Sequence, residues 1–198
     1  MKAVNVLLYE GFTTMDALGP AEVLSRAREG ERKCYEIEYF SATGGLVGSS
    51  TSAKIWTRKL DEIAKFDVLL VPGGFTAREL AHDSEFIAAL GELARRHEYV
   101  IAVCTGSVLL AKTGLLDGVE ATSNKLSWQW ATSEAPSVRW IRAARWCVSG
   151  KFYTGSGVSA GIDAALGFVA DTHGPAEAQR IARTMEYVWG SDKNAELF

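Results

Sequence analysis

The chain has 198 residues, 47% of them hydrophobic and 23% charged, with a net charge of −3 at pH 7. That balance suits a soluble globular protein with a sizeable core, and it offers no basic footprint for nucleic acid or an anionic membrane. No apolar stretch reaches the length of a membrane span, and three cysteines are too few and odd in number for a disulfide framework, which points to a reducing cytoplasm.

Residues 3–9 read as a first strand, so early that no signal peptide is expected. A helix is predicted over 16–29, where Leu18, Val23, Leu24 and Ala27 recur at helical spacing. Residues 35–41 alternate as a second strand, and the Gly- and Ser-rich stretch 44–57 predicts a hairpin excursion. Residues 66–71 form a buried strand that ends at Pro72-Gly73-Gly74. An amphipathic helix over 84–97 precedes the β-branched run Tyr99–Val103, and a helix carrying Val108–Ala111 follows, stopped by Gly114. Strands are expected near 144–148 and 151–154, then helices over 158–171 and 175–189. Strands alternating with helices predict an α/β protein with a mostly parallel sheet. With no repeat, linker or low-complexity tract, residues 1–198 read as one domain.

Open parallel sheets bind ligands beyond the carboxyl ends of their strands. Three features fall there: Glu10 to Asp16, Pro72-Gly73-Gly74, and Cys104. Cys104 lies between a buried strand and a helix, the position of a nucleophile elbow. A helix N-terminus beneath it favours thiolate, whereas a cysteine packed as a small hydrophobe would need no such role. Gly73 and Gly74 let backbone approach a ligand and offer an oxyanion hole, or serve only as a turn. Asp16 fits either a helix N-cap or an acid/base beside the thiol, with Glu22 as the competing carboxylate; local pattern does not separate them.

The other candidates read as structural. His82, His97 and His173 are expected at the surface, leaving no Cys–His pair. Sparse Cys and His without paired spacing predict no zinc site. Cys147 reads as structural, and Cys34 lies among charges without an evident catalytic partner. Trp128, Trp130, Trp140 and Trp146 suggest core or subunit-interface packing. The segment Gly155 to Asp163 lacks the lysine of a P-loop and the spacing of a dinucleotide fingerprint, so it reads as tight strand–helix packing.

Taken in order, Tyr9-Glu10-Gly11-Phe12, Asp16 to Val23, Val71-Pro72-Gly73-Gly74, Ala102-Val103-Cys104-Thr105-Gly106, Gly114 to Gly118 and Gly157 to Asp163 resemble the ThiJ/PfpI superfamily along nearly the whole chain. The resemblance implies a class I glutamine amidotransferase-like, flavodoxin-like three-layer α/β/α sandwich with a nucleophile elbow, and a homodimer. Thr105 stands where peptidase-like members carry His, and the Asp16 segment resembles the isonitrile hydratase branch. That branch implies Cys104 as nucleophile, Asp16 as acid/base and Thr105 as a supporting hydrogen-bonding group. It implies a lyase hydrating isonitriles to N-substituted formamides, with a small-molecule substrate and no cofactor or metal. The alternatives are redox sensing through Cys104, and glyoxalase or deglycase chemistry on small dicarbonyls. The same domain occurs in AraC-type regulators, whose C-terminal helix-turn-helix is not expected here. Asn124 departs from the histidine many relatives carry after the Ala-Thr pair.

Overall fold

The computed structural model describes residues 1–196 and 198. The chain opens with β1 (Lys2–Leu7), α1 (Thr14–Ser25), the two-residue strands β2 (Arg28–Glu29) and β3 (Arg32–Lys33), and β4 (Tyr35–Ser41). There follow β5 (Gly45–Gly48), β6 (Lys54–Lys59), β7 (Val68–Val71), α2 (Ala77–Leu80), α3 (Ser84–Arg96) and β8 (Tyr99–Val103). The remainder is α4 (Gly106–Lys112), β9 (Glu120–Ala121), α5 (Trp128–Glu134), β10 (Arg139–Trp140), β11 (Trp146–Ser149), β12 (Phe152–Gly155), α6 (Ala160–His173) and α7 (Pro175–Thr184).

The main sheet has eight strands in the order β11-β12-β8-β7-β1-β4-β6-β5. Its centre is parallel, and antiparallel pairs close both edges: β11 on β12, and β5 on β6. The four residues of β7 and the last four of β8 are buried, as strands covered on both faces must be. Helices α1, α6 and α7 pack together, as do α2, α3 and α4. This is the expected flavodoxin-like α/β/α arrangement.

Boundaries moved where local chemistry intervened. The first helix stops at Ser25, and the chain turns through the β2–β3 hairpin rather than continuing to residue 29. α7 ends at Thr184 because Glu186 takes a left-handed φ of 51° and Tyr187 N–H reaches back to Ala182 O. That six-residue closure satisfies the last carbonyls and ends the helix. α3 begins where expected because Asp83 caps it, its carboxylate accepting from the N–H groups of Glu85 and Phe86. The short α2 and α5 and the β9–β10 pair carry no periodic signal in the sequence.

Two histidines depart from the surface positions expected of them. His97 is 1% exposed, with Nε2 2.8 Å from Asn5 Nδ2 and Nδ1 2.6 Å from Leu93 O. His173 is mostly buried at the end of α6, Nε2 2.8 Å from Tyr35 OH. The tryptophans divide: Trp128 and Trp140 stack edge to face at 6.3 Å, while Trp146 is buried against Gly167.

Candidate active site

β8 delivers Cys104 to a turn whose φ is 59°, a left-handed value uncommon for a side chain of this kind. The conformation is held from several sides. Cys104 N–H donates to Gly155 O at 2.9 Å, and the Cys104 carbonyl accepts from the hydroxyls of Ser107 (2.7 Å) and Ser123 (2.9 Å). A Cβ on Gly106 would strike the carbonyl oxygen of Val71, so the chain enters α4 there only with glycine. Backbone strain at a reactive position is tolerated when its surroundings over-determine it.

The loop after β1 is stitched to the loop after β7. Thr13 N–H donates to Gly73 O at 2.8 Å, and Tyr9 OH donates to Pro72 O at 2.9 Å. This seam fixes the phase of α1. Thr13 takes the N-cap position, so Asp16 lies in the first turn and is fully buried. Its Oδ2 accepts the Gly73 N–H at 3.1 Å, while Oδ1 is buried without a hydrogen-bond partner and the carboxyl interacts with the Cys104 thiol. Glu22 is solvent-exposed and bonded to Arg26 at 2.7 Å. The carboxylate at the thiol is Asp16.

Electrostatically, Asp16 and Cys104 form one unit. Burial raises the Asp16 carboxyl to about 7 against the lowering effect of the Gly73 N–H and the thiol. Burial also pushes the Cys104 thiol well up, and the Asp16 charge pushes it further, against hydrogen bonds from Thr105. The expected preference for thiolate is therefore reversed in the resting site: desolvation and a neighbouring carboxylate outweigh the turn's N–H groups. As pH rises through about 7, Asp16 takes on the negative charge while the proton stays on sulfur.

Gly73 and Gly74 do not supply the expected oxyanion hole, because both amides are already used. Gly73 N–H goes to Asp16, and Gly74 N–H goes to Thr105 Oγ1 at 3.0 Å. The glycines matter by lacking side chains: a Cβ on Gly73 would lie 2.6 Å from Thr105 Oγ1 and 3.0 Å from Asp16 Oδ2. Thr105 thus braces the Gly74 turn from beneath.

A cleft of about 370 Å³ opens over the sulfur, lined by Gly74, Phe75, Cys104, Asn124, Leu126 and Val158 among others. Phe75 and Leu126 are 88% and 99% exposed, giving it an apolar mouth. Among the described residues, no histidine lines it. Gly157 sits directly against Cys104, since a Cβ there would stand 3.1 Å from the Cys104 sulfur and 3.1 Å from Asn124 Nδ2. Asn124 Oδ1 accepts the Ser127 N–H at 3.1 Å, which turns Nδ2 toward Gly157. Nothing in the local sequence signalled that Gly157 and Ser123 meet Cys104; only the closure of α6 and of the 122–125 loop over the elbow brings them there. The other thiols lie elsewhere: Cys147 is buried in β11, where burial raises it to about 11, and Cys34 lies outside the cleft.

The DJ-1/PfpI family profile matches residues 2–171. Isonitrile hydratase of Pseudomonas putida is 29% identical over 187 residues, covering 93% of this chain and 78% of that protein. The HTH-type transcriptional regulator CdhR of Pseudomonas aeruginosa is 30% identical over 179 residues, covering 89% of this chain; the chain spans 52% of that relative's length. The crystal structure of a ThiJ/PfpI family protein from Pseudomonas syringae superposes with a TM-score of 0.81 at 28% identity, over 94% of this chain and 75% of the other.

Proposed function

Because this chain belongs to the DJ-1/PfpI family, we propose that it is a cysteine-dependent lyase that hydrates small isonitriles to N-substituted formamides. The observation that carries this reading is the buried Asp16–Cys104 pair, which holds one transferable proton beside the Cys104 sulfur.

Isonitrile hydration needs a nucleophile and a proton at the same carbon, and no amine leaves. Asp16 carboxylate takes the Cys104 S–H proton as sulfur attacks the terminal carbon, then delivers that proton to the same carbon. The product is a thioimidate, Cys104-S–CH=N–R. Water adds to its carbon, the C–S bond breaks, and the proton balance restores Cys104-SH and releases R–NH–CHO. A neutral thiol next to a carboxylate is the correct starting state, since the thiol brings the proton that the carbon requires. Peptide hydrolysis makes a different demand, protonation of a departing amine, and among the described residues no imidazole stands in the cleft.

In this reading Asn124, which lines the cleft, donates from Nδ2 to the nitrogen end of the substrate, in place of Gly73 and Gly74. Asn124→Ala is expected to lower kcat roughly a hundredfold, the usual loss for one such donor, with KM changed little; steady-state rates on a single isonitrile check this. The apolar mouth at Phe75, Leu126 and Val158 suits an alkyl or aryl substituent. A turnover screen with alkyl and aryl isonitriles, methylglyoxal and peptides side by side tests the reading. Formamide production alone supports it, whereas Cys104-dependent peptide cleavage or dicarbonyl consumption without formamide overturns it. Redox sensing is disfavoured by the site's chemistry, because a thiol that is 7% exposed and held protonated reacts slowly with peroxide.

The same reading places a homodimer in the cytoplasm. Large exposed side chains at Met15, Leu46, Trp56 and Val188 leave apolar surface suited to a second copy. Light scattering is expected to give about twice the 21.5 kDa chain mass; the single-chain mass at micromolar protein would contradict it.

A further inference from the structure

At the opposite end of the sheet from Cys104, three side chains from separate segments converge. Cys34 stands at the amino end of β4, Glu29 ends β2, and His173 ends α6. One ligand-type atom from each lies within 4.8 Å of the others, with Cys34 Sγ 3.9 Å from His173 Nδ1 and Glu29 Oε1 3.7 Å from the same nitrogen. A tetrahedral zinc bound to sulfur and imidazole nitrogen sets those two atoms about 3.6 Å apart. The observed separation closes to that value with a small side-chain movement.

The surroundings prepare these atoms for coordination. Tyr35, 3% exposed, places its hydroxyl 2.8 Å from His173 Nε2, and the two rings meet edge to face at 5.4 Å. That contact can take the Nε2 proton and leave the Nδ1 lone pair directed at Cys34 and Glu29, as partners of metal-bound imidazoles do. The backbone of Cys34 is fixed on both sides: its N–H donates to Ala27 O at 2.9 Å, and its carbonyl accepts the Lys2 N–H at 2.8 Å. Two of the cations lining the cavity beside the cluster, Arg32 and Lys2, have other partners; Lys33 and the amino-terminal Met1 line it as well. Arg32 holds Glu29 Oε2 at 2.9 Å, leaving Oε1 toward His173, and Lys2 pairs with Glu98 at 2.8 Å. That cavity, of about 240 Å³, leaves room for solvent.

We propose that Glu29, Cys34 and His173 bind a zinc-class divalent cation through one carboxylate oxygen, one thiolate and one imidazole, with water in the fourth position. Sulfur, imidazole nitrogen and carboxylate oxygen together suit Zn²⁺ rather than Mg²⁺ or Ca²⁺, which prefer oxygen alone. On binding, the Cys34 S–H bond breaks, the proton passes to solvent and the metal–sulfur bond forms; no oxidant is involved. The ion would tie the β2–β3 hairpin to the end of α6. The ligands escape sequence recognition because Cys34 and His173 are separated by 139 positions, far outside zinc-motif spacings.

Titration of the full-length protein with Co²⁺ alone tests this. One equivalent is expected to give a thiolate-to-cobalt charge-transfer band, which Zn²⁺ then bleaches. Cys34→Ser should abolish the band and Cys104→Ser should leave it intact. Tyr35→Phe, which keeps the three ligands, should weaken Zn²⁺ binding roughly tenfold. Absence of the band in wild-type protein with Co²⁺ in excess, its survival in Cys34→Ser, or its loss in Cys104→Ser would each overturn the assignment. None of these readouts depends on isonitrile turnover.

Discussion

Cys104→Ala is expected to abolish formamide production while leaving the circular dichroism spectrum and the thermal midpoint near wild type. Alanine removes the sulfur that the proposed mechanism bonds to the substrate carbon, and among the described residues lining the cleft Cys104 is the one thiol. The fold should survive because the turn is held by backbone groups: Gly155 O receives the residue's N–H, and Ser107 and Ser123 hold its carbonyl. Alanine meets the same φ of 59° that cysteine does, so the strain is unchanged. Cys34→Ser and Cys147→Ser should retain turnover, since neither thiol lines the cleft. Wild-type rates in Cys104→Ala would end the account.

The second large effect belongs to Asp16. Asp16→Asn keeps the shape and can still accept the Gly73 N–H, but it cannot take the thiol proton. The rate should fall roughly a hundredfold or more, the usual contribution of a positioned acid/base. In the wild-type protein, Asp16 must be ionised to act, and its carboxyl is raised to about 7 by burial. Activity should therefore rise as pH increases through 7 and fall away on the acid side, and that limb should vanish in Asp16→Asn. Stability moves oppositely. A carboxyl raised on folding gives its full stabilisation below its unfolded value, near 4, and loses it as pH rises through about 7. Asp16→Asn should therefore melt higher than wild type at pH 8, with the difference shrinking toward pH 4. A pH–rate profile unchanged by the substitution would remove Asp16 from the mechanism.

How far the sequence could be read depended on whether a feature was local. Tyr99–Val103 is β-branched and short, and it lies between a charged helix end and a small-residue turn, so both strand and elbow were readable from the run itself. Asp16 and Glu22 could not be told apart, because both sit on one helix. What separates them is the seam between the loops after β1 and β7, which sets the phase of α1 and brings Asp16 to Gly73, 57 positions away. His97 lies among charged neighbours in sequence; its burial comes with a hydrogen bond to Asn5, 92 positions distant, and the Phe66 ring set edge to face against its own at 5.1 Å. Gly73 and Gly74 read as a possible oxyanion hole, but their N–H groups serve Asp16 and Thr105, a pairing invisible until both loops meet. The thiol's protonation also escaped local reading: a helix start suggested thiolate, whereas burial beside a carboxylate favours the neutral form.

The most direct test of the central claim follows a single turnover of a small alkyl isonitrile by rapid quench, with intact-mass analysis of the protein and NMR of the product. The account predicts a transient increase of one isonitrile mass on Cys104, decaying as the N-alkyl formamide appears, with both signals absent in Cys104→Ala. Formamide released at the wild-type rate by Cys104→Ala, or no formamide from the wild-type protein with any alkyl or aryl isonitrile, would contradict it.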